Sequence, residues 1–306
     1  MAEILFLAPR DLGETILATG VLAQIVRPGD VLTVSASEEA ASLFRAAPAT
    51  RIWLPRPAVL SFCAFARAHG ARYETLIDGQ RRLAGRIAPA ARKIRLRPAP
   101  VLQHRVEAWG IAAGTAASPA PTLWIDAAAR AEAASIVPQH GRLLVLAPGG
   151  AGAAKRWPWE RFAATARRLL GGVLAGAQVL VLGAAARDRE VASALVRSLD
   201  ADGIAAIDAG GKLDLLAAGA LLERATLCLG NDNVLTHIAA AAQAPTLTLF
   251  GPTDERVRAP YGPRARTLRG APWSVSLAQA QASMRALSVD AVEAAAIELL
   301  HAGGLT

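Results

Sequence analysis

The chain has 306 residues, of which 53% are hydrophobic, 19% charged and 5% aromatic, with a formal net charge of +8 at pH 7. That length gives two ordinary domains with cores of their own, and the composition is too apolar for a disordered chain. It is also too broken for a membrane bundle: the most apolar stretches are cut by Gln178, by Gln243 with Pro245, or by glycines before reaching the ~18 residues of a spanning helix.

An acid, Glu3, stands near the N-terminus where an export signal has its basic region, so the expected location is the cytoplasm. Cys63 and Cys228 lie in apolar contexts without metal-ligand spacing and are expected to be buried reduced thiols. Lys93, Lys155 and Lys212 are the only lysines, so 30 of the 33 basic residues are arginine, a residue that favours anionic partners. Those arginines are scattered and no aromatic-interleaved basic patch occurs, so nucleic acid is not an expected partner.

Short runs rich in Val, Ile and Leu predict strands at Ile4–Ala8, Val31–Ser35, Arg51–Leu54 and Thr75–Asp78, each followed by a stretch of helical period. A Pro-rich segment, Ala116 to Pro121, and a helical stretch ending near Val137-Pro138 then suggest a boundary at residue 138. The alternation restarts with strands at Leu143–Ala147, Gln178–Leu182, Ala205–Asp208, Ala225–Gly230 and Thr246–Phe250. The expected fold is therefore α/β, with domains 1–138 and 139–306. Parallel sheets wound by helices bind ligands beyond the carboxyl ends of their strands, which directs attention to the residues that follow each strand.

The first strand leads into Pro9-Arg10-Asp11-Leu12-Gly13-Glu14-Thr15, which places Gly13 and Glu14 at a helix start, where backbone amides and the helix dipole fix a carboxylate's direction. A helix-start acid that only complements the dipole fits the same residues. The second half opens with Pro148-Gly149-Gly150-Ala151-Gly152-Ala153-Ala154-Lys155-Arg156-Trp157-Pro158 after a strand. Glycines let amides approach an anion and a lysine at the loop's end can neutralise a phosphate. The loop is neither a P-loop, which requires Gly-Lys-Ser/Thr, nor the dinucleotide fingerprint, because Lys155 stands where the third glycine or alanine belongs. Asn231-Asp232-Asn233-Val234-Leu235-Thr236-His237 opens an apolar helix, and Phe250-Gly251-Pro252-Thr253-Asp254 ends the last predicted strand. Alone, Asp232 or Asn233 reads as an N-cap and His237 as a core histidine; together with the glycine loop they bring polar, helix-starting residues to one diphosphate-sized crevice.

These residues resemble glycosyltransferase family 9, the ADP-heptose:lipopolysaccharide heptosyltransferases. The likeness rests on Gly13-Glu14, Tyr73–Gly79, Pro148-Gly149 with Lys155-Arg156-Trp157-Pro158 and Phe162, Asp232 with His237, Phe250 to Asp254, and Met284-Arg285-Ala286-Leu287 before a last helix. The resemblance implies a GT-B type fold, two Rossmann-like domains facing across a cleft, with the acceptor on the N-terminal domain and the nucleotide sugar on the C-terminal one. It implies inverting transfer of heptose from ADP-heptose to a lipopolysaccharide-type or other glycan acceptor, with the ADP-sugar as substrate and neither cofactor nor metal. Glu14 would be the base, supported by Gly13. Lys155 would hold the diphosphate, Asp188 the ribose hydroxyls and Asp232 the donor sugar, with Gly149, Gly150, Asn233, Val234, Leu235 and Thr253 completing the donor site and His237 in support. The partners implied are the nucleotide sugar and an anionic glycolipid at the cytoplasmic face of the inner membrane, a surface that Arg81, Arg82, Arg86, Arg92, Arg95 and Arg97 would attract.

Two positions depart from the family pattern. Glu14 stands where Asp is usual, and Asn233-Val234 where Ser/Thr-Gly is usual; valine lacks glycine's access to positive φ. Those departures also fit a second expectation, a catalytically impaired member acting as a nucleotide-binding or assembly protein.

Overall fold

The computed structural model describes residues 1–53, 73–80, 89–99, 102–115, 118–138, 141–273 and 276–304. Cys63, Arg81, Arg82 and Arg86 lie outside the described residues. The chain forms two compact units, Met1–Trp124 and Ile125–Thr306.

The first unit contains β1 (Glu3–Leu7), α1 (Leu12–Ile25), β2 (Val31–Ser35), α2 (Glu38–Ala41), β3 (Thr50–Trp53), β4 (Tyr73–Asp78), β5 (Ala90–Arg95) and α3 (Arg105–Ala113). Its described strands run in the order β3-β2-β1-β4-β5, all parallel. The central strand is buried on both faces from Ile4 to Leu7, which is why it reads as a continuous apolar run. The chain turns one way from β1 to β2 and the other way from β1 to β4, so the loop after β1 opens at a topological switch point.

The second unit contains α4 (Ala127–Ile136), β6 (Leu143–Ala147), α5 (Trp159–Leu170), β7 (Gln178–Gly183), α6 (Arg189–Ala201), β8 (Ala206–Gly210), α7 (Leu215–Leu222), β9 (Leu227–Asn231), α8 (Val234–Ala241), β10 (Thr246–Phe250), α9 (Glu255–Arg258), β11 (Ala265–Arg269), α10 (Leu277–Ala286) and α11 (Val289–Ala302). Its strands run β11-β10-β9-β6-β7-β8, again parallel, and the switch point lies between β6 and β9. One core gathers Leu144, Leu146, Val181, Leu229 and Leu249 from a single face of this sheet, with Trp157, Phe162 and Leu195 packed on them. Among the described residues no helix is long and apolar enough to cross a membrane.

The units part before α4, upstream of the boundary expected at residue 138. Helix α4 packs on α7, and Arg130 in α4 donates to Glu223 just beyond α7, so this helix belongs to the second unit. Trp124, the last residue of the first unit, packs its ring against Phe44. The strands expected from the apolar runs all form, but the runs did not announce β5 and β11. Both are edge strands whose side chains are mostly part-exposed or exposed, so neither carries a buried apolar pattern.

Helix α1 is buried from Thr15 to Leu22, and its polar members satisfy themselves locally: Thr15 Oγ1 donates to Pro9 O (3.0 Å) and Thr19 Oγ1 to Ile16 O (2.7 Å). Residues 119–122 cross this helix at Gly20, where Thr122 N donates to Thr19 Oγ1 (2.9 Å). A Cβ at Gly20 would lie 2.1 Å from Pro119 O and 2.6 Å from Ala120 O, both backbone atoms. Gly20→Ala is therefore expected to destabilise by about 1–3 kcal/mol in urea unfolding, because overpacking outweighs the ~1 kcal/mol helix advantage of alanine. In the second unit burial pushes the Cys228 thiol up to about 12. In a Cys63→Ser background, Cys228 should react with a disulfide reagent at pH 8 only after denaturant is added.

Candidate functional site

In the first unit the loop after β1 delivers Glu14. Asp11 is the N-cap of α1 and accepts from the Glu14 amide (3.0 Å), so Glu14 falls in the helix's first turn and Gly13 is buried beside it. Glu14 Oε1 meets Arg105 Nη2, from the first turn of α3, at 2.9 Å, with the two side chains 17% and 11% exposed. The acid is thus part of an ion pair, which reading along the sequence missed. Arg105 lies 91 positions away in sequence, and only the packing of α3 on α1 brings it near.

In the second unit two asparagines organise the switch point. Asn231 Nδ2 donates to Pro148 O (2.7 Å) and Gly149 O (3.3 Å), while its Oδ1 accepts from Trp157 N (3.1 Å). Asn233 Nδ2 donates to Ala147 O (3.1 Å) and Gly149 O (3.0 Å), and its Oδ1 caps α8 by accepting from Leu235 N (2.8 Å) and Thr236 N (3.4 Å). The loop between β6 and α5 is pinned at both ends. Past Gly152 it makes a 3-10 turn, Ala153–Lys155, from which Lys155 Nζ reaches Asp232 Oδ2 at 2.5 Å. Asp232 is buried and Lys155 about a quarter exposed. Beyond the lysine, Trp157 is buried edge-on to Phe162 and donates its Nε1–H to Leu287 O (3.0 Å), and Pro158 precedes α5.

The other expected donor residues lie around this core. Gly149 is small for a reason other than anion approach alone: a Cβ there would sit 2.5 Å from the Asp188 carboxyl carbon. Asp188 itself is buried, with Oδ2 accepting from Ala185 N (3.3 Å) and Oδ1 without a hydrogen-bond partner among the described residues. Gly150 O accepts from Arg156 Nε (2.9 Å). Leu235's amide is engaged by Asn233, and Val234 is the first residue of α8. His237 is buried within that helix. Thr253 lies in the loop after β10, where Arg269 donates to Gly251 O and Thr253 O and pairs with Glu255. The Arg256 guanidinium beside Asp254 holds its carboxyl below the usual carboxylate range. Arg269 and Asn231 are organising residues that sequence reading did not single out; for Asn231 the available signal was a polar residue ending an apolar strand, and for Arg269 there was none.

A switch-point crevice carrying a lysine, an acid, a glycine loop and a capped helix start is suited to a diphosphate. The model of glycosyltransferase family 9 (heptosyltransferase) matches residues 62–286. The chain belongs to this family. Lipopolysaccharide heptosyltransferase 2 of Salmonella typhimurium is 31% identical over 129 residues, 42% of this chain and 36% of that protein. The chain thus spans about a third of the length of the curated relatives it matches. The structure of E. coli ADP-heptose lps heptosyltransferase II is 18% identical, with 99% of each chain covered and a TM-score of 0.78. E. coli heptosyltransferase WaaC with ADP is 21% identical, with 97% of this chain and 99% of that one covered and a TM-score of 0.72. These likenesses establish the fold as α/β of the GT-B type, built from two Rossmann-like units.

The double role of Asn233 makes a test of the site's construction. Asn233→Ser keeps a hydroxyl that can cap α8 but loses both Nδ2 bonds, and is expected to cost about 1–2 kcal/mol at a net ~1 kcal/mol per hydrogen bond. Asn233→Ala loses the cap as well and should cost about 1 kcal/mol more in the same denaturant titration.

Proposed function

We propose that the protein is an inverting glycosyltransferase that moves heptose from ADP-heptose to a lipopolysaccharide-type acceptor. The observation that carries this reading is the Lys155–Asp232 pair at the switch point of the second unit, beside the start of α8, in a chain of this family. The donor and the acceptor class come from what these relatives are named for, ADP-heptose and lipopolysaccharide.

In this reading the second unit, Ile125–Thr306, holds the donor and the first unit the acceptor. Lys155 turns from Asp232 towards the diphosphate, and Asp232 takes a hydroxyl of the donor sugar. Amides ahead of Leu235 at the α8 start, with Gly149, Gly150 and Thr253, receive phosphate oxygens. Asp188 Oδ1, already desolvated, accepts from a ribose hydroxyl, and His237 backs Asp232 from within α8. On the acceptor side Glu14 removes the proton of the attacking hydroxyl as its oxygen bonds to the anomeric carbon. The bond from that carbon to the diphosphate breaks on the opposite face, and ADP leaves with the electron pair. The lysine charge and helix dipole stabilise it without a metal or cofactor. The reaction is placed at the cytoplasmic face of the inner membrane. There Arg92, Arg95 and Arg97 along and just beyond edge strand β5, all three exposed, contribute ~1 kcal/mol each towards an anionic surface.

Two measurements test this. In a thermal melt, ADP at 100 times its dissociation constant should stabilise the fold by about 2.7 kcal/mol, and UDP or GDP far less. With ADP-heptose and heptose-deficient lipopolysaccharide as substrates, Glu14→Gln should lower turnover by roughly 100- to 10,000-fold while leaving the ADP shift unchanged. EDTA should leave the wild-type rate as it is. Stabilisation by UDP instead would reassign the donor, and turnover indifferent to Glu14→Gln would remove the base.

A further inference from the structure

We propose that Arg105 is a positioning residue for the transfer: its guanidinium holds the Glu14 carboxylate in the direction from which it takes the acceptor proton. The inference rests on the reading of Glu14 as base. It deepens that reading by naming what aims it.

The geometry is a single charged contact braced from behind. Arg105 Nη2 meets Glu14 Oε1 at 2.9 Å, and both side chains are largely withdrawn from water, at 11% and 17% exposure, so the pair is screened far less than a surface ion pair. The guanidinium is itself backed: its central carbon lies 5.8 Å from the centre of the Trp109 ring, one turn along α3. Trp109 is buried, and its Nε1–H donates to Arg97 O (3.0 Å), which fixes the ring to the segment just beyond β5. A rigid ring supports a planar cation, and the cation in turn supports the acid.

Helix capping does not explain the pair. The start of α1 is served by Asp11, which accepts from the Glu14 amide, and the start of α3 by His104 Nδ1, which accepts from Val106 N (3.3 Å). An arginine in the first turn of a helix faces the positive end of its dipole, an unfavourable place for a cation unless an anion lies against it. Glutamate also has one more rotatable bond than the family's usual aspartate, so its carboxylate sweeps a wider arc from the same backbone. A guanidinium contact from α3 narrows that arc. Displacement of a reacting group by about 1 Å costs roughly 100-fold in rate, so an unclamped glutamate would be a poor base even though present.

The test uses the full chain with ADP-heptose and heptose-deficient lipopolysaccharide. Glu14→Gln is measured first, and turnover that survives it removes the base reading before Arg105 is touched. Arg105→Met, which keeps the stem over Trp109, is expected to lower kcat by about 30- to 100-fold with both KM values within twofold and the ADP-induced melting shift intact. Arg105→Lys, which restores the charge without the fork, should recover part of the loss. In the Glu14→Gln background Arg105→Met should change the residual rate less than twofold. That double variant carries no unpaired buried carboxylate, so it keeps the test available if Arg105→Met alone does not fold. A kcat equal to wild type in Arg105→Met, or a loss confined to the acceptor KM, would overturn the proposal. So would a full further loss in the Glu14→Gln background.

Discussion

The second unit's site depends on two carboxamides. A glycine-rich loop loses more conformational entropy on ordering than any other sequence and has no side chains with which to hold itself. Asn231 and Asn233 supply the missing ties. Each donates to carbonyls of the Ala147–Gly149 stretch and each uses its oxygen elsewhere, Asn231 on the Trp157 amide and Asn233 on the first amides of α8. Only a side chain that both donates and accepts can do this. Aspartate has no proton to give, and serine reaches less far. One strand end thereby fixes the loop's entry, its exit and the helix beside it, and the Lys155–Asp232 approach follows from those three constraints.

The arginine surplus takes on a second meaning in this structure. By composition it points to anionic partners, yet many of the guanidiniums donate to backbone carbonyls of their own unit. Arg161 serves Arg285 O and Leu287 O, Arg224 serves Val137 O, Arg142 serves Val173 O and Arg269 serves the loop after β10. These carbonyls sit where helices end or loops turn, positions that lack a regular partner. A planar fork with five donors closes two such groups at once, which lysine cannot do. The charge that faces solvent is what remains after this structural use, and edge strand β5 carries a share of it.

Legibility in the sequence follows burial. Central strands such as β1, β6, β9 and β10 are enclosed on both faces and write themselves as apolar runs. Edge strands β5 and β11 are covered on less than that, and their alternation of Arg with Ile, Thr or Leu does not separate them from a loop. Reading along the chain singled out residues that follow their own strand, as Glu14, Lys155 and Asp232 do. Contacts between residues more than thirty positions apart were not readable: Asn231 with Pro148, Arg105 with Glu14, and Asp188 with Gly149. For that last pair the sequence suggested a loop glycine open to an anion, while the packing shows a carboxylate occupying the place of its missing Cβ. The domain boundary moved for the same reason, since α4 belongs with the helix it packs on and not with the segment that precedes it.

The two departures from the family pattern resolve in different ways. At Val234 the structure removes the concern about backbone. Among the described residues only Ala49 and Gln243 are non-glycine with positive φ, and Val234 begins α8 with the ordinary geometry of a first helical turn. Glycine's freedom is not needed there, and the Asn233 side chain caps the helix as a serine or threonine would. The argument for a lost phosphate site therefore has no strained turn to rest on. At Glu14 the extra methylene is real, and it is met by an arginine that reaches the carboxylate from another helix. A longer side chain without a tie sweeps a wider arc, whereas one paired with a guanidinium that lies over a buried ring has part of that freedom removed. Each departure is thus met by a contact made within its own unit, the Asn233 cap at the start of α8 and the Arg105 pair at Glu14.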